Sequence, residues 1–466
     1  MRRRFLLPPS RMSFPLCLPF ALSVLLLVVQ PTVFAESAAA QPAAQPAALR
    51  AGPMPSGVAP TRAVLWVQTT AAARLFVEYR TVPADSQRHW QRSAYGIPAG
   101  EWQRSAEVAT AGPDFSASLP LAGLRPATRY AYRLLLDGRA VPTGIGSFCT
   151  APPDSAGGAD LTLALGSCAF VADPYPAEGY GIFRRILDQQ PDVMLWLGDN
   201  VYLWGDEWAS AAAAARRYAH TRALPDLQPL LRGANHAAIW DDHDFGPNDA
   251  DSTLPTRRTM LDVFRRFWPH DLYEAAPGGA TGHFRWGDVE FWLLDDRSWR
   301  TPKRGTPRRL RSQLGARQRA WLLAGLRAST AGFKLVAVGG QVLSSSGRGE
   351  TFCNGFRRER RALLRALDSS QVKNVVFLTG DRHYAELSRR ESRRGATLIE
   401  LTASPLTSSP ARPKANRQRV AGTVVDSHNF ATVTMSHPNG TPQLTLRLFD
   451  AAGGQRWQFV VNRTDD

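Results

Sequence analysis

Six short apolar runs in this 466-residue chain each end in side chains that can bind a cation or transfer a proton. In chain order, the groups that follow these runs are Gly166-Ser167-Cys168, Gly198-Asp199-Asn200-Val201-Tyr202, Asp241-Asp242-His243-Asp244 with Asn248 shortly after it, Asp295-Asp296-Arg297, Gly339-Gly340-Gln341 and Gly380-Asp381-Arg382-His383. Carboxylates gathered in one cleft repel each other unless cations neutralise them. A carboxylate-rich site that also contains a histidine, a tyrosine and a cysteine therefore indicates bound metal ions.

Two metal ions suit an in-line displacement at phosphorus, because one activates the attacking water and both stabilise the developing charge. The six groups therefore predict a phosphoric ester hydrolase in which a metal-activated hydroxide attacks phosphorus. We expect Arg297 to stabilise the phosphoryl oxygens, since a planar guanidinium makes bidentate contacts with phosphate. Asn200 and Asn248 would position the ester, and His243 or a metal-bound water would protonate the leaving alkoxide.

The same residues also have structural interpretations. Cys168 fits a small buried core residue, and Tyr202 fits a core tyrosine with a satisfied hydroxyl. His243 could donate a structural hydrogen bond to a carboxylate. Asp244 and Asp249 fit turn or helix-capping positions, where an acidic side chain accepts backbone N–H groups.

The elements that would position these groups follow an α/β pattern from Leu161 onward, because apolar strands alternate with longer helical segments. The predicted strands are Leu161–Gly166, Val193–Leu197, Ala237–Trp240, Val289–Leu294, Lys334–Val338, Val375–Thr379, Leu398–Leu401, Thr432–Met435 and Gln443–Leu448. The predicted helices are Tyr180–Gln189, Glu207–Arg222, Thr256–Trp268, Gly315–Ser329 and Glu359–Leu367. Ligands of open α/β sheets lie at the carboxyl ends of such strands, which is where the six groups stand.

Residues 51–150 carry a different pattern, that of an all-β domain. Ala63–Gln68 and Ala73–Tyr79 have strand propensity, and the alternation after Leu124 predicts a further strand. Leu124 to Tyr130 read Leu-x-Pro-x-Thr-x-Tyr, a corner typical of fibronectin type III-like sandwiches. An unrelated β domain is the alternative.

The order of the chemical motifs resembles the metallophosphatase superfamily, which runs DxH, GDxx(D/Y), GNH(D/E), a lone His and GHxH. Gly198 to Tyr202 match the second motif in the tyrosine version found in purple acid phosphatases. At the other motif positions stand Cys168 for the first His, Asp242-His243-Asp244 for NH(D/E), Gln341 for the lone His and Asp381 for the first His of GHxH. These replacements resemble the alkaline phosphatase D (PhoD-like) family, which shares the GSC strand end and the WDDH and GD(R/V)H motifs.

The resemblance implies a fold of the α/β class, an α+β metallophosphatase-like sandwich of two mixed sheets flanked by helices, with an N-terminal all-β fibronectin III-like domain. It also implies Fe³⁺ and Ca²⁺ as cofactors, with another divalent pair such as Zn or Mn as the alternative. A thiolate and a phenolate are good ligands for trivalent iron, so Cys168 and Tyr202 would hold it. Asp199 would bridge the ions. The residues that would complete the two metal sites are Asp242, Asp381 and His383, with Asp241, Gln341 and Asp295 as further candidates.

The first 35 residues have the pattern of a signal peptide, because four arginines precede an apolar run and Val33-Phe34-Ala35 fits a cleavage site. Export to the periplasm or secretion is expected, by the general route or, since Arg2-Arg3-Arg4-Phe5-Leu6 fits that signal, by the twin-arginine route. An uncleaved anchor is the alternative. The predicted organisation is signal peptide 1–35, linker 36–50, β-sandwich domain 51–150 and catalytic domain 160–460.

The chain carries a formal net charge of +16, and cleavage after residue 35 would remove four arginines and leave +12. This excess suits anionic substrates or an anionic envelope surface. Nucleic acid is expected only as a substrate, because few aromatic residues are interleaved with the basic ones. No membrane span is predicted after cleavage, and the protein is expected to be a monomer. Cys149, Cys168 and Cys353 would remain, and a Cys149–Cys353 bridge is allowed.

Two other functions compete with the phosphatase interpretation. The first is a phosphodiesterase or phospholipase D-like activity on phospholipid headgroups, cell-wall polymer diesters or nucleic acid ends, which the same metal pair could support. The second is a non-catalytic exported binding protein that keeps the sandwich and a degenerate metal site. The near-complete acidic set argues against the second, since such sets cluster at functional sites.

Overall fold

The computed structural model describes residues 46–464, except for 58, 83–100, 111, 155–157, 271, 275–276, 371 and 392–396. The predicted signal peptide and most of the predicted linker lie outside the described residues. The described part begins with β1, which starts at Leu49 within the predicted linker. No helix among the described residues is long and apolar enough to span a membrane.

Strands and helices alternate through the second half of the chain, as the sequence pattern predicts. The strands are β1 Leu49–Ser56, β2 Arg62–Thr69, β3 Arg74–Thr81, β4 Gln103–Arg104, β5 Val108–Ala109, β6 Ser116–Ala122, β7 Arg129–Leu136, β8 Arg139–Cys149, β9 Leu161–Gly166, β10 Val193–Leu197, β11 Asn235–Ile239, β12 Gly282–Trp286, β13 Val289–Leu293, β14 Phe333–Val338, β15 Val375–Thr379, β16 Glu386–Glu391, β17 Thr397–Thr402, β18 Asn429–Ser436, β19 Gln443–Asp450 and β20 Gln455–Asn462. The helices are α1 Ile182–Asp188, α2 Ala211–Arg222, α3 Gln228–Gly233, α4 Asp242–Phe245, α5 Arg257–Phe267, α6 Gly315–Ala328 and α7 Arg357–Ser369.

Two large sheets contain the strands of the second half of the chain. The first has nine strands in the order β20-β19-β18-β9-β10-β11-β1-β2-β6, and its strands β9, β10 and β11 are parallel neighbours. The second has six strands in the order β12-β13-β14-β15-β17-β16, and β13, β14, β15 and β17 are parallel neighbours. All five residues of β10 and of β15 are buried, as expected for parallel strands covered on both faces.

The two sheets pack against each other, and helices cover their outer faces. Side chains of both sheets, such as Leu195 and Leu335, share one apolar core. A second core joins the first sheet to α1, α2, α3 and α5, and a third joins the second sheet to α6 and α7. The mixed α/β architecture of two sheets between helical layers agrees with the sequence expectation.

The N-terminal strands are joined to the first large sheet. β1 pairs in parallel with β11 at Ser56 and His236, so β1, β2 and β6 extend that sheet. They also face a third sheet of β3, β4, β5, β7 and β8 across an apolar core of their own. The hydroxyl of Tyr130 accepts a 2.8 Å hydrogen bond from the backbone N–H of Arg125 at the predicted corner. Assignment of residues 51–150 to a separate fibronectin III-like domain stays a prediction.

Candidate metal centre

The carboxyl ends of the parallel strands meet at one edge of the two facing sheets. Cys168, after β9, donates its backbone N–H to the carbonyl of Gly198, after β10, at 3.2 Å. Ser404, after β17 in the other sheet, donates its hydroxyl to Sγ of Cys168 at 3.2 Å. Parallel strands end at a common edge, so residues far apart in the chain converge there.

Four of the predicted metal ligands have left-handed backbone conformations. The φ angles are 59° at Cys168, 51° at Asp199, 63° at Asp381 and 57° at His383. Each such residue costs of order 1–3 kcal/mol, and residues of this kind cluster at functional sites. The strain is therefore concentrated in the turns that carry these four predicted ligands.

Three groups of side chains could each hold a metal ion, and the first two overlap. The first comprises Cys168, Asp199 and His383, and the second comprises Asp199, Asp242 and His243. Within each group the ligand atoms lie within 4.8 Å of one another. Asp199 belongs to both groups, which is the arrangement expected of a carboxylate shared by two ions. The third group comprises Asp241, Glu350 and Asp381.

Tyr202 lies beside the first group. Its hydroxyl is 3.5 Å from Nε2 of His383, and its ring stacks on that of His243 with a centroid distance of 4.2 Å. The other ring nitrogen of His383, Nδ1, lies 2.7 Å from the carbonyl of Ser409, so it donates there and leaves Nε2 with a free lone pair. The imidazole therefore presents Nε2 to the group, the form that a metal ligand requires.

Two glycines make room for Asp241. A Cβ at Gly198, which has φ +90°, would lie 2.6 Å from the Cβ of Asp241. A Cβ at Gly339 would approach Oδ2 of Asp241 to 2.5 Å. The Gly residues after β10 and β14 thus allow an acidic side chain to lie between the two sheets.

Burial shifts the pKa values of the clustered groups in the direction expected of a site built for cations. Burial, followed by repulsion from Asp242 and Cys168, raises the pKa of the Asp199 carboxyl well above its usual range. Burial and the Asp381 carboxylate raise the pKa of the Cys168 thiol to about 11. Burial and the nearby Cys168 and Asp199 raise the pKa of the Tyr202 phenol well above its ordinary value. Anionic forms of these groups need compensating positive charge.

Buried polar atoms without hydrogen-bond partners, and the types of ligand atom in the three groups, both fit bound metal ions. Oδ2 of Asp241 and Nδ1 of His243 are buried, and neither has a hydrogen-bond partner among the described residues. The first group offers sulfur, nitrogen and oxygen donors, which suit a transition metal. The groups rich in carboxylates suit a hard cation such as Ca²⁺.

Arg297 does not have the surroundings that contact with a phosphate ester requires. Its side chain has 0% exposure, and its Nε donates to Oδ1 of Asp241 at 2.6 Å. Its Nη2 donates to both Asp241 and Glu350, and Nη1 donates to the carbonyl of Ala250 at 3.3 Å. Burial opposes the charge, but these carboxylates overcome it and raise the pKa of the guanidinium well above its usual range. This geometry does not favour the predicted contact of Arg297 with substrate, because the side chain is buried and four of its five N–H groups already donate to protein oxygens.

Asn200 and Asn248 do not lie where a role in ester positioning was expected. Nδ2 of Asn200 donates to the carbonyl of Ile239 at 2.8 Å, which turns its donor toward the end of β11. Asn248 is exposed, and its Nδ2 lies 3.5 Å from a carboxylate oxygen of Asp249. Both residues help to shape the loops around the ligands, and neither donor is aimed at the three groups.

Gln341 and Asp295, the weaker metal candidates, lie outside the three groups. Nε2 of Gln341 donates to Glu386 at 2.7 Å and to Thr402 at 3.0 Å, which links the loop after β14 to β16 and β17. The carboxylate of Asp295 accepts the backbone N–H groups of Ala280, Arg297 and Ser298, the three backbone donors that hold the loop after β13. The contacts of Asp295 are those of a structural residue, whereas Oε1 of Gln341 is buried without a hydrogen-bond partner in the described part of the chain, so Gln341 stays a candidate ligand.

Glu350 is the acidic residue whose role differs most from the sequence expectation, whereas Asp244 keeps one of its two expected roles. Glu350 has no motif around it, and a Ser- and Gly-rich loop separates it from β14. The density of small residues in this loop is the only sequence signal near Glu350. Arg297 and Arg300 overcome the effect of burial and hold the pKa of Glu350 well below its usual range. Asp244 caps α4, accepts the N–H groups of Asp241 and Asn200, and has its pKa raised by burial to about 7. The capping interpretation of Asp244 agrees with these contacts.

The family model of the PhoD-like phosphatases matches residues 163–447, more than half of the chain. The chain belongs to the PhoD-like phosphatase family. Alkaline phosphatase D of Bacillus subtilis (strain 168) is 24% identical to this PhoD-like chain over 331 residues. That match covers 60% of this chain and 55% of the relative, so it spans about half the length of the curated protein.

Solved structures share the fold of this PhoD-like chain. The structure of PhoD has a TM-score of 0.72 and 18% identity, and the match covers 88% of this chain and 89% of that one. The purple acid phosphatase PPD1 from yellow lupin (Lupinus luteus) has a TM-score of 0.63 and 13% identity, with 88% and 74% covered. At these identities the similarity concerns the fold alone. Any conclusion about chemistry must therefore rest on the local geometry of the candidate site.

Proposed function

We propose that this PhoD-like protein is an exported, metal-dependent phosphoric ester hydrolase. The observation that carries the proposal is the position of Asp199, which contributes to two of the ligand groups at the common edge of the sheets. Family membership supports phosphoric esters as the substrate class. The basic pattern and apolar run of residues 1–35 support export.

We assign Cys168, Tyr202 and His383 to an Fe³⁺ site and Asp199 to the position between the ions. Asp242, Asp381 and Asp241 would serve Ca²⁺, whose preferred ligands are oxygens. A Zn or Mn pair is the alternative. When bound, such ions lower the pKa of water and stabilise negative charge on phosphoryl oxygens.

His243 enters the proposal in its neutral form. Burial lowers the pKa of its imidazole despite the neighbouring Asp242, so the ring is uncharged at neutral pH. A neutral imidazole keeps one N–H, which can donate a hydrogen bond to the leaving oxygen, and one lone pair for a ligand. Protonation of the leaving alkoxide by His243 or by a metal-bound water stays a prediction.

Arg382 takes the phosphate-contacting role that was expected of Arg297. It stands between Asp381 and His383, and its Nε is buried without a hydrogen-bond partner in the described part of the chain. Its Nη1 lies 3.5 Å from Asp381 and its Nη2 lies 3.3 Å from the hydroxyl of Tyr384, so both contacts are long. A loosely bonded guanidinium beside the ligands can turn its donors to a phosphoryl group.

The decisive experiment combines metal analysis of the native protein with assays of nitrophenyl phosphate and its bis ester. We expect two metal ions per chain, a violet colour if the Tyr202 phenolate binds Fe³⁺, and hydrolysis of at least one ester. Faster cleavage of the bis ester would favour the diesterase alternative over the monoesterase. A metal-free protein that binds neither ester would support the non-catalytic alternative and overturn the proposal.

A further inference from the structure

Four aromatic rings form a continuous cluster beside the candidate metal centre. Trp204 stacks with Tyr202 at a centroid distance of 6.3 Å and lies 6.1 Å from the rings of His243 and Phe170. Phe170 meets Tyr202 edge to face at 5.5 Å. Tyr202 and His243 stand next to the ligand groups, so the cluster runs from the metal centre to the protein surface.

Trp204 is the exposed end of this cluster, and its backbone is fixed in place. Its side chain is 50% exposed, an uncommon exposure for so large an apolar group. Its backbone N–H donates to Oε2 of Glu207 at 2.8 Å, and its carbonyl accepts the N–H of Glu207 at 2.9 Å. Arg217 in α2 holds the Glu207 carboxylate through a bidentate contact of 2.9 to 3.1 Å. The hydrogen bond from Leu203 N–H to the carbonyl of His243 ties the preceding residue to the site.

We propose that Trp204 forms a subsite for a planar, aromatic leaving group of the phosphoric ester, an inference that rests on the proposed function. An aryl group is joined to phosphorus through one oxygen, so it must lie close to a phosphoryl group bound at the metal centre. The half-exposed ring of Trp204 stacks with Tyr202, which lies beside the ligand groups, and Phe170 packs edge to face against both rings. Aromatic rings gain attraction by stacking beyond the area they bury.

Other exposed apolar side chains lack this combination. Tyr175 is 37% exposed, but its hydroxyl donates to the carbonyl of His220 and its ring stacks on that histidine, away from the ligand groups. Leu310 and Val460 are exposed but aliphatic, so neither offers a ring face for stacking. Tyr175 therefore provides a matched control, an exposed aromatic side chain outside the site.

The test compares binding of phenylphosphonate and methylphosphonate to the metal-loaded, full-length protein by calorimetry. We expect the wild type to bind phenylphosphonate about tenfold more tightly than methylphosphonate, a ratio in the range of one aromatic stack. Trp204→Ala should remove this preference and leave the affinity for methylphosphonate unchanged. Trp204→Phe should keep most of the preference, and Tyr175→Ala should keep all of it.

Two results would overturn the subsite. Equal weakening of both ligands in Trp204→Ala would show that the ring only supports the metal centre, and an undiminished phenyl preference would show that it contacts no leaving group. Turnover of nitrophenyl phosphate, measured on the same samples, separates this inference from the proposed function. Turnover without a phenyl preference overturns the subsite alone, whereas a phenyl preference without turnover overturns the hydrolase and, with it, the leaving-group role of Trp204.

Discussion

The backbone N–H of His243 donates a 3.2 Å hydrogen bond to Oδ1 of Asp199. This bond joins the segment after β10 to the segment after β11 and orients the carboxylate toward both ligand groups. Oδ2 of Asp199 lies 3.7 Å from Sγ of Cys168, so its two oxygens face different groups. The backbone thus fixes a carboxylate that, in our proposal, two ions share.

Asp199→Asn should lower turnover at least about 100-fold and leave the fold intact, since even indirect partners of metal ligands contribute 10–100-fold. Asparagine keeps the Oδ1 acceptor and tolerates the φ of 51° at this position, so the backbone should not change. The measurements are kcat, bound metal and the urea unfolding midpoint. Asp206→Asn, an exposed change in the loop after Tyr202, is the control. Wild-type turnover in the Asp199 variant would refute the shared-ligand assignment.

Arg382→Ala should lower kcat/KM for a phosphate monoester by about 10- to 100-fold, the range of a hydrogen bond to a charged group. Inhibition by inorganic phosphate should weaken in parallel, because the ligand loses the same contact. Arg382→Lys should recover part of the loss, since it keeps the charge without the planar fork. Arg348→Ala changes an exposed arginine two residues before Glu350 and should have no such effect. Unchanged phosphate inhibition in Arg382→Ala would contradict the contact.

Arg297→Met should destabilise the protein by about 3–5 kcal/mol, because it leaves Asp241 and Glu350 buried without their partner. The free energy of unfolding in urea, measured with and without metal, checks this value. Arg184→Ala removes a pair on the surface, with Asp188, and should cost no more than about 1 kcal/mol. If both variants are equally stable, Arg297 does not have the structural role that its contacts indicate.

In the metal-free protein, the free energy of unfolding should fall as the pH rises from about 4.5 to about 7. Glu400 is buried, and burial raises its pKa to about 7 despite hydrogen bonds from the N–H groups of Leu343 and Val342. The folded state therefore holds a proton that the unfolded state releases at lower pH, so this stability is complete below about pH 4.5 and lost through pH 7. Burial raises the pKa of Asp381 to about 7 as well, which adds a loss of the same sign.

Urea titrations of the metal-free protein between pH 4.5 and 8 measure this slope. Glu400→Gln should flatten it by up to about 1.4 kcal/mol per pH unit, the value for one titrating group. Glu107→Gln, an exposed change, should leave the slope unaltered. Added metal should restore stability mainly near pH 8, where Asp381 is ionised. A metal-free protein that gains stability toward pH 7 would contradict the buried, protonated state of these acids.

Apolar runs predicted the elements best where the strands are buried on both faces. The bounds of β9, β10 and β15 agree with the predicted strands residue for residue. Short, mostly apolar runs of this kind are typical of parallel strands that helices or a second sheet cover on both faces. Strands at or near the sheet edges escaped prediction. β16 and β20 carry several charged or polar residues, and only pairing with β17 and β19 identifies them as strands.

The sequence by itself determined the strand ends, the types of ligand that follow them and the family motifs, because each of these is local in the chain. Tertiary structure decided which candidate ligands lie together, since Glu350 meets Asp241 and Asp381 through a loop that no spacing rule connects to them. It also decided the surroundings of Arg297, because only the folded protein shows that guanidinium enclosed by two buried carboxylates. Contacts between distant segments depend on how the two sheets pack against each other, and local sequence patterns do not show this packing.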